Sequence, residues 1–181
     1  PYIKLHDRLR SELKTLIDKP EVSITIVFGK NEDQISLSLG KNDLDFFKEF
    51  PNIEIKYEKH LHAKYYANES TAILTSMNLY DYSQNNNIEF GILLKTNLVK
   101  ALAGDGLDDG AYQYFTERVI KQAKLLFKRE PKFESAMLGM SKSYKGSVTI
   151  EDITDQVFNN NASTKSKFIE NTPINKAVPS T

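Results

Sequence analysis

Four short β-type runs are crowded between Ile53 and Leu94, and they oblige this part of the chain to build a sheet. Ile53 to Tyr57 alternates apolar and polar side chains, His62 to Ala67 forms a second run, Thr71 to Leu74 a third, and Ile88 to Leu94 (IEFGILL) a fourth. Alternation with period two sends successive side chains to opposite faces of a strand, the pattern of a strand with one buried side. Asn68-Glu69-Ser70 separates the second and third runs with turn-forming residues, so these two are expected to form a hairpin.

Helical patterns lie on either side. From Leu5 to Ile17 the apolar residues Leu5, Leu9, Leu13 and Ile17 recur every fourth position, which marks an amphipathic helix that Pro20 closes. Val22 to Phe28 (VSITIVF) is β-branched and aromatic and stops at Gly29, the pattern of a mostly buried strand. Asn42 to Phe50 is expected as a short helix capped by Asn42 or Asp43. Tyr112 to Phe127 is expected as a long helix, with Tyr112, Phe115, Val119, Ala123 and Leu126 on one stripe and Lys121, Lys124 and Lys128 on another. That basic stripe is available to phosphates, and the same lysines serve equally to offset the helix dipole. Beyond Ser141 the stretch Val148 to Phe158 is followed by a Ser/Thr/Lys/Pro-rich end, expected to act as a flexible tail or linker.

Composition narrows the chemistry. With 181 residues the chain has the size of one domain. It has no cysteine and only three histidines, which excludes disulfides, thiol catalysis and cysteine-based zinc sites. Lys plus Arg and Asp plus Glu each number 24, so a polyanion must be held by a local basic site and not by the overall field. No apolar run approaches the ~18 residues that span a bilayer. Pro1-Tyr2-Ile3 lacks the charged and apolar regions of a signal peptide, and the chain reads as trimmed ahead of Pro1. No internal repeat is present.

The chemistry-bearing residues are gathered in His60 to Asn78, HLHAKYYANESTAILTSMN. His62 and Lys64 stand two apart, and on a strand they share a face. The return strand ends in Thr75, Ser76 and Asn78, so a hairpin brings a hydroxyl and an amide back beside the His/Lys pair. Histidine can attack phosphorus or carry a proton near neutral pH, while lysine, serine and asparagine donate to phosphoryl oxygens. A nucleophilic histidine also needs a carboxylate or carbonyl at its other ring nitrogen, and Glu89, in NNIEFGILL, is the candidate. A carboxylate in a core strand needs a cationic or N–H partner. His60 is expected to flank the site and His6 to face solvent on the first helix. Tyr57, Tyr65, Tyr66, Tyr80 and Tyr82 are available to stack on bases, although tyrosine in strands also serves packing.

His62-x-Lys64, followed by Ser76-x-Asn78 and Glu89, resembles the HKD signature of the phospholipase D superfamily, written H-x-K-x4-D-x6-G-S-x-N. Counting forward from Lys64, Glu69 occupies the aspartate place; counting back from Thr75, Asn68 does, so the hairpin is one residue shorter than the family pattern. Thr75 stands for the glycine. The order of elements from Pro1 to Arg129, including a helix beginning at Asn78 (NLYDYS), resembles small bacterial domains of this superfamily, in which a further strand precedes the P-Y-I segment.

The resemblance implies an α/β fold, a PLD-like α-β-α sandwich with a mixed central β-sheet flanked by helices. It implies a catalytic domain, expected at 1–140, while the change of composition after Ser141 sets apart a C-terminal extension at 141–158 and a flexible tail at 159–181. It further implies a two-step, metal-independent phosphodiester hydrolysis by a cytoplasmic nuclease, with no cofactor and with nucleic acid as substrate. One histidine forms a covalent phosphohistidine; a second protonates the leaving oxygen and then activates water. The chain carries one motif, so His62, Lys64, Ser76, Asn78 and Glu89 of two chains must meet at the two-fold axis of a homodimer. No membrane is expected, and a further domain or partner chain beyond the termini fits the same reading. A non-catalytic module that binds nucleic acid or a partner protein is the alternative.

Overall fold

The first helix forms where the spacing of leucines predicts it. In the computed structural model, which describes residues 2–29, 35–80, 87–95, 107–135 and 142–158, β1 (Ile3–Lys4) leads into α1 (Asp7–Lys14). Leu5 is buried, and Leu9, Leu13 and Ile17 pack against the core. His6 is exposed, as expected, and it also caps the helix: its Nδ1 accepts the Arg8 N–H at 3.1 Å.

β2 (Ile24–Phe28) and β3 (Ile53–Tyr57) are parallel, with Ile24 opposite Ile53 and Phe28 opposite Tyr57. The connection between them carries α2 (Lys41–Lys48), which buries Leu44, Phe46 and Phe47. Gly40 is its N-cap, without a side-chain bond, so neither Asn42 nor Asp43 has the capping role expected of it. Asp43 instead pairs with Arg10 of α1. Burial pushes the Asp43 carboxyl up, against the attraction of Arg10.

The hairpin is present: β4 (Lys64–Ala67) and β5 (Thr71–Thr75) are antiparallel. Asn68 makes its turn, accepting the N–H groups of Ser70 at 3.0 Å and Thr71 at 2.9 Å on Oδ1. After β5 the chain does not enter a helix at Asn78. Leu79–Tyr80 is extended as β6, paired in parallel with β1. The remainder of the expected helix lies outside the described residues. β7 (Gly91–Lys95) then pairs with β5.

The largest correction lies at residues 112–127. The chain is helical only as far as Ile120, through α3 (Leu107–Gln113) and a π-helical continuation at Tyr114–Ile120. It then turns into β8 (Lys124–Ser135), which lies between β3 and β9 (Lys142–Asp152), antiparallel to both. Leu126 and Phe127 are buried in this sheet. The basic stripe of a helix is therefore absent: Lys121 pairs with Glu117, and Lys128 pairs from the strand with Glu54 at 2.9 Å and Glu130 at 2.7 Å. Residues 142–152, expected to belong to an extension, are thus a strand of the main sheet. The tail at 159–181 lies outside the described residues.

The result is a mixed α/β protein with three sheets among the described residues. Strands β2-β3-β8-β9 form a mixed sheet, β4-β5-β7 an antiparallel one, and β1-β6 a short parallel pair. The core lies over the mixed sheet, where Phe28, Leu39, Phe50, Ile53, Ile55 and Leu126 are fully buried. Among the described residues no helix is long and apolar enough to cross a membrane.

Candidate active site

The site is built at the open end of the hairpin. Antiparallel register places Lys64 opposite Thr75 and Thr75 opposite Gly91, so the start of β4, the end of β5 and the start of β7 meet in one row. His62 lies just ahead of β4, in an extended lead-in and not within the strand. It still meets its partner: Lys64 Nζ lies 3.4 Å from His62 Nε2. Lys64 is only 9% exposed, whereas His62 faces solvent, so the pair sets a sheltered cation behind an accessible imidazole.

Glu89 is placed by contacts that no local pattern encodes. The expected core strand does not include it: β7 begins at Gly91, and Ile88 and Phe90 on either side are exposed. Its hydrogen-bond partners are neutral side chains, one of them the N–H donor expected for it. Ser76 Oγ donates to Glu89 Oε2, and Asn87 Nδ2 donates to Glu89 Oε1 at 3.1 Å. The Ser76 hydroxyl, then the Asn87 amide, hold the Glu89 carboxyl below its ordinary range, and the Lys64 charge adds to this. Glu89 is thereby an anion one serine away from the His/Lys pair.

Ser76 is itself fixed by the backbone around it. Its Oγ accepts the Phe90 N–H at 3.1 Å, and its own N–H donates to the Phe90 carbonyl at 3.0 Å. His62, Lys64, Thr75, Ser76, Phe90 and Ile92 share a shallow pocket of about 380 Å³. Asn78 serves elsewhere. Its Oδ1 accepts the Tyr2 N–H at 3.2 Å, tying the start of the chain to the loop after β5. The structure thus gathers His62, Lys64 and Ser76 at one pocket with Glu89 bonded to Ser76, and uses Asn78 to join two segments.

Two residues that hold the site are not apparent from motif spacing. Thr75 Oγ1 donates to the Phe90 carbonyl at 2.7 Å and accepts the Met77 N–H at 3.1 Å, bracing the loop that carries Ser76. A hydroxyl at the motif's glycine place is the one signal of this in the sequence. Tyr66 Oη donates to the Met77 carbonyl at 3.1 Å, and burial, with the Glu89 charge nearby, pushes this phenol up to about 12. Other tyrosines named for base stacking are also engaged internally. Tyr65 stacks on Phe115 at 4.3 Å, and Tyr57 packs edge-on against Phe28 at 5.6 Å. The Tyr80 side chain and Tyr82 lie outside the described residues. His60 is exposed beside the site.

Among the described residues no three His, Asp or Glu side chains are grouped as a metal site. Comparison of the chain with protein-family models, with curated proteins and with solved structures finds no match.

Proposed function

We propose that the protein is a metal-independent phosphodiesterase of the phospholipase D type, an endonuclease acting on DNA or RNA, with its active site completed by a second copy of the chain. The observation that carries this reading is the His62–Lys64 contact of 3.4 Å at the pocket shared with Ser76. An imidazole nitrogen of His62 attacks phosphorus, forming an N–P bond as the P–O bond to the leaving group breaks. The leaving oxygen takes its proton from the second copy's His62. That same imidazole then removes a proton from water, whose oxygen displaces His62 from phosphorus and regenerates both groups. Lys64 supplies positive charge and hydrogen bonds to the phosphoryl oxygens, while Ser76 gives its one proton to Glu89 and holds that anion beside the pocket.

The rim of the pocket favours a second copy. Phe90, Ile92 and Leu74 line it and are 76%, 55% and 38% exposed. Exposed apolar side chains gathered around one pocket mark association surfaces. In this reading a cytoplasmic PLD-like domain pairs through its motif-bearing face.

The test is a cleavage assay in excess EDTA on single- and double-stranded DNA and RNA, comparing the intact chain with His62→Ala, with the oligomeric state measured in parallel. Cleavage in EDTA that is lost with His62→Ala supports the reading and names the substrate. Cleavage only with Mg²⁺ overturns it. Nucleic-acid binding without cleavage, retained in His62→Ala, assigns the fold to a binding module instead.

A further inference from the structure

β8 and β9 outrun the sheet they belong to. β3 pairs with β8 only from Lys124 to Arg129, whereas β9 follows β8 as far as Ser135. Beyond Arg129 the two strands stand as an arm, and among the described residues no third strand pairs with it. One residue of α2 fixes its root: the Lys48 carbonyl accepts from Arg129 Nη1 at 3.1 Å, and the Lys48 ammonium pairs with Asp152 and lies 5.0 Å from the Phe127 ring. At the free end, residues 132–135 and 142–145 are all exposed. A bare two-stranded ribbon is marginally stable at best in water, so contacts from a binding partner add directly to its order.

The two faces of this free end differ. Phe133 stands opposite Tyr144, and Ser135 opposite Lys142 two positions farther on, so these four share one face. The two rings are 5.9 Å apart, and the residues are 41% and 42% exposed. Alternation puts Lys132, Glu134, Ser143 and Lys145 on the reverse face, where Lys145 pairs with Glu134 at 3.4 Å. The aromatic face thus carries a lysine and a hydroxyl and no carboxylate. Its twist is built in. The register shifts between Pro131 and Phe133, and Gly146 on the facing strand has a φ of 106°, which accommodates the extra residue of a bulge. The Tyr144 and Ser147 hydroxyls are hydrogen-bonded at 2.8 Å across this bulge, so the Tyr144 ring is held before anything lies on it.

We propose that the aromatic face of the arm is a platform for single-stranded nucleic acid, whose bases stack on Phe133 and Tyr144 while Lys142 meets a phosphate. The choice of polyanion rests on the nuclease reading above. Charge favours it: the chain as a whole is neutral, yet residues 132–135 and 142–145 hold three lysines against one carboxylate, the local excess that a polyanion requires. Flat rings beside a cation suit any base, because every base has a π-face. A protein partner is served less well, since beyond Pro131 the face has two rings and no aliphatic side chain to fill a dry centre. The platform is remote from the pocket. β8 begins beside Tyr57, the end of β3 from which the chain goes on to His62, and Phe133 lies nine residues farther along, roughly 30 Å at the rise of a strand. A nucleic-acid strand that touches both spans roughly ten nucleotides or more.

Fluorescence anisotropy of a labelled single-stranded DNA of about 20 nucleotides tests this, in excess EDTA and with His62→Ala as the background so that no strand is cut. Phe133→Ala with Tyr144→Ala is expected to weaken binding by about tenfold or more, and Tyr144→Phe, which keeps the ring, to change it little. Lys142→Gln is expected to lower the slope of log Kd against log salt by roughly 0.7, one phosphate contact. Unchanged affinity in the double variant at an unchanged Tm overturns the proposal, as does an unchanged salt slope in Lys142→Gln. Equally tight binding of duplex DNA, whose bases are already stacked, also overturns it, and a double variant that alters only the oligomeric state gives the face to a second copy instead. Hydrolysis of bis(p-nitrophenyl) phosphate by the otherwise intact chain reads the pocket alone. It is expected to be unaffected by the double variant, while KM for the oligonucleotide rises about tenfold. If neither the small diester nor DNA is cut, the nuclease reading fails by itself, and ring-dependent binding still upholds the platform.

Discussion

Lys64 Nζ stands 3.4 Å from His62 Nε2, so a buried cation is held against an exposed base. An ammonium has only protons to offer, which makes the facing ring nitrogen the acceptor of this contact. The arrangement follows from β4 beginning at Lys64 while His62 stays in the lead-in.

Lys64→Met keeps the aliphatic stem and removes the charge. The fold is expected to persist, with cleavage falling by about 10²–10³ if the lysine stabilises charge developing on phosphoryl oxygens. Independently of any activity, the Glu89 carboxyl is expected to titrate closer to its ordinary 4.5, because the Lys64 charge is one of the influences holding it down. Carboxyl-detected NMR titration reads this directly, and an unchanged Glu89 curve contradicts the placement of Lys64.

Ser76→Ala removes the main influence lowering the Glu89 pKa and is expected to raise it further than Lys64→Met does. The sign of the stability effect follows. A carboxyl whose folded value is depressed stabilises the fold above its unfolded value of about 4.3, and this contribution disappears as pH falls through the folded value. The wild-type chain therefore loses this contribution only on the acid side of the ordinary carboxylate range, whereas Ser76→Ala has little of it to lose. Denaturant melts of both chains between pH 6 and pH 3, roughly spanning this range, compare the two slopes.

Thr75→Val deletes a hydroxyl that donates to the Phe90 carbonyl and accepts the Met77 N–H, with little change of shape. The expected cost is about 1–2 kcal/mol, since two hydrogen bonds are lost at partly solvated positions. Thr75→Ser is expected to recover most of it. If the valine and serine variants melt alike, the hydroxyl does not brace the loop.

Gly29→Ala places a Cβ 1.8 Å from the Glu58 carbonyl oxygen, a backbone atom that cannot swing away. Destabilisation of about 3 kcal/mol is expected, the upper part of the range for overpacking. Gly40→Ala is the control, because a Cβ there meets no atom within 4 Å. Thermal melts of the two variants are expected to differ clearly.

Much of the local structure is legible because it is encoded by neighbours in sequence. The leucine spacing of α1, the β-branched run of β2, the alternation of β3 and the Asn68 turn each set their own backbone before distant contacts contribute. The pairing of His62 with Lys64 and the return of Ser76 toward them follow from a tight hairpin, so this part of the site is legible too. The segment from Lys121 to Phe127 is different: its apolar positions suit a helix by spacing, yet Leu126 and Phe127 are buried by pairing with β3, far away in the chain. Strand preference depends on such non-local packing more than helix preference does.

The same distinction separates the members of the site. Sequence alone determined which groups are available, a single His-x-Lys and a hydroxyl-bearing return strand, because covalent spacing and period-two geometry act within a few residues. Tertiary structure decided the rest. Glu89 reaches Ser76 across thirteen positions, Asn78 is taken by Tyr2 from the other end of the chain, and among the described residues β8 runs on past β3 with β9 alone beside it. Hydrogen-bond partners and sheet edges are chosen by whichever segments the core brings into register, and no local pattern of residues carries that information.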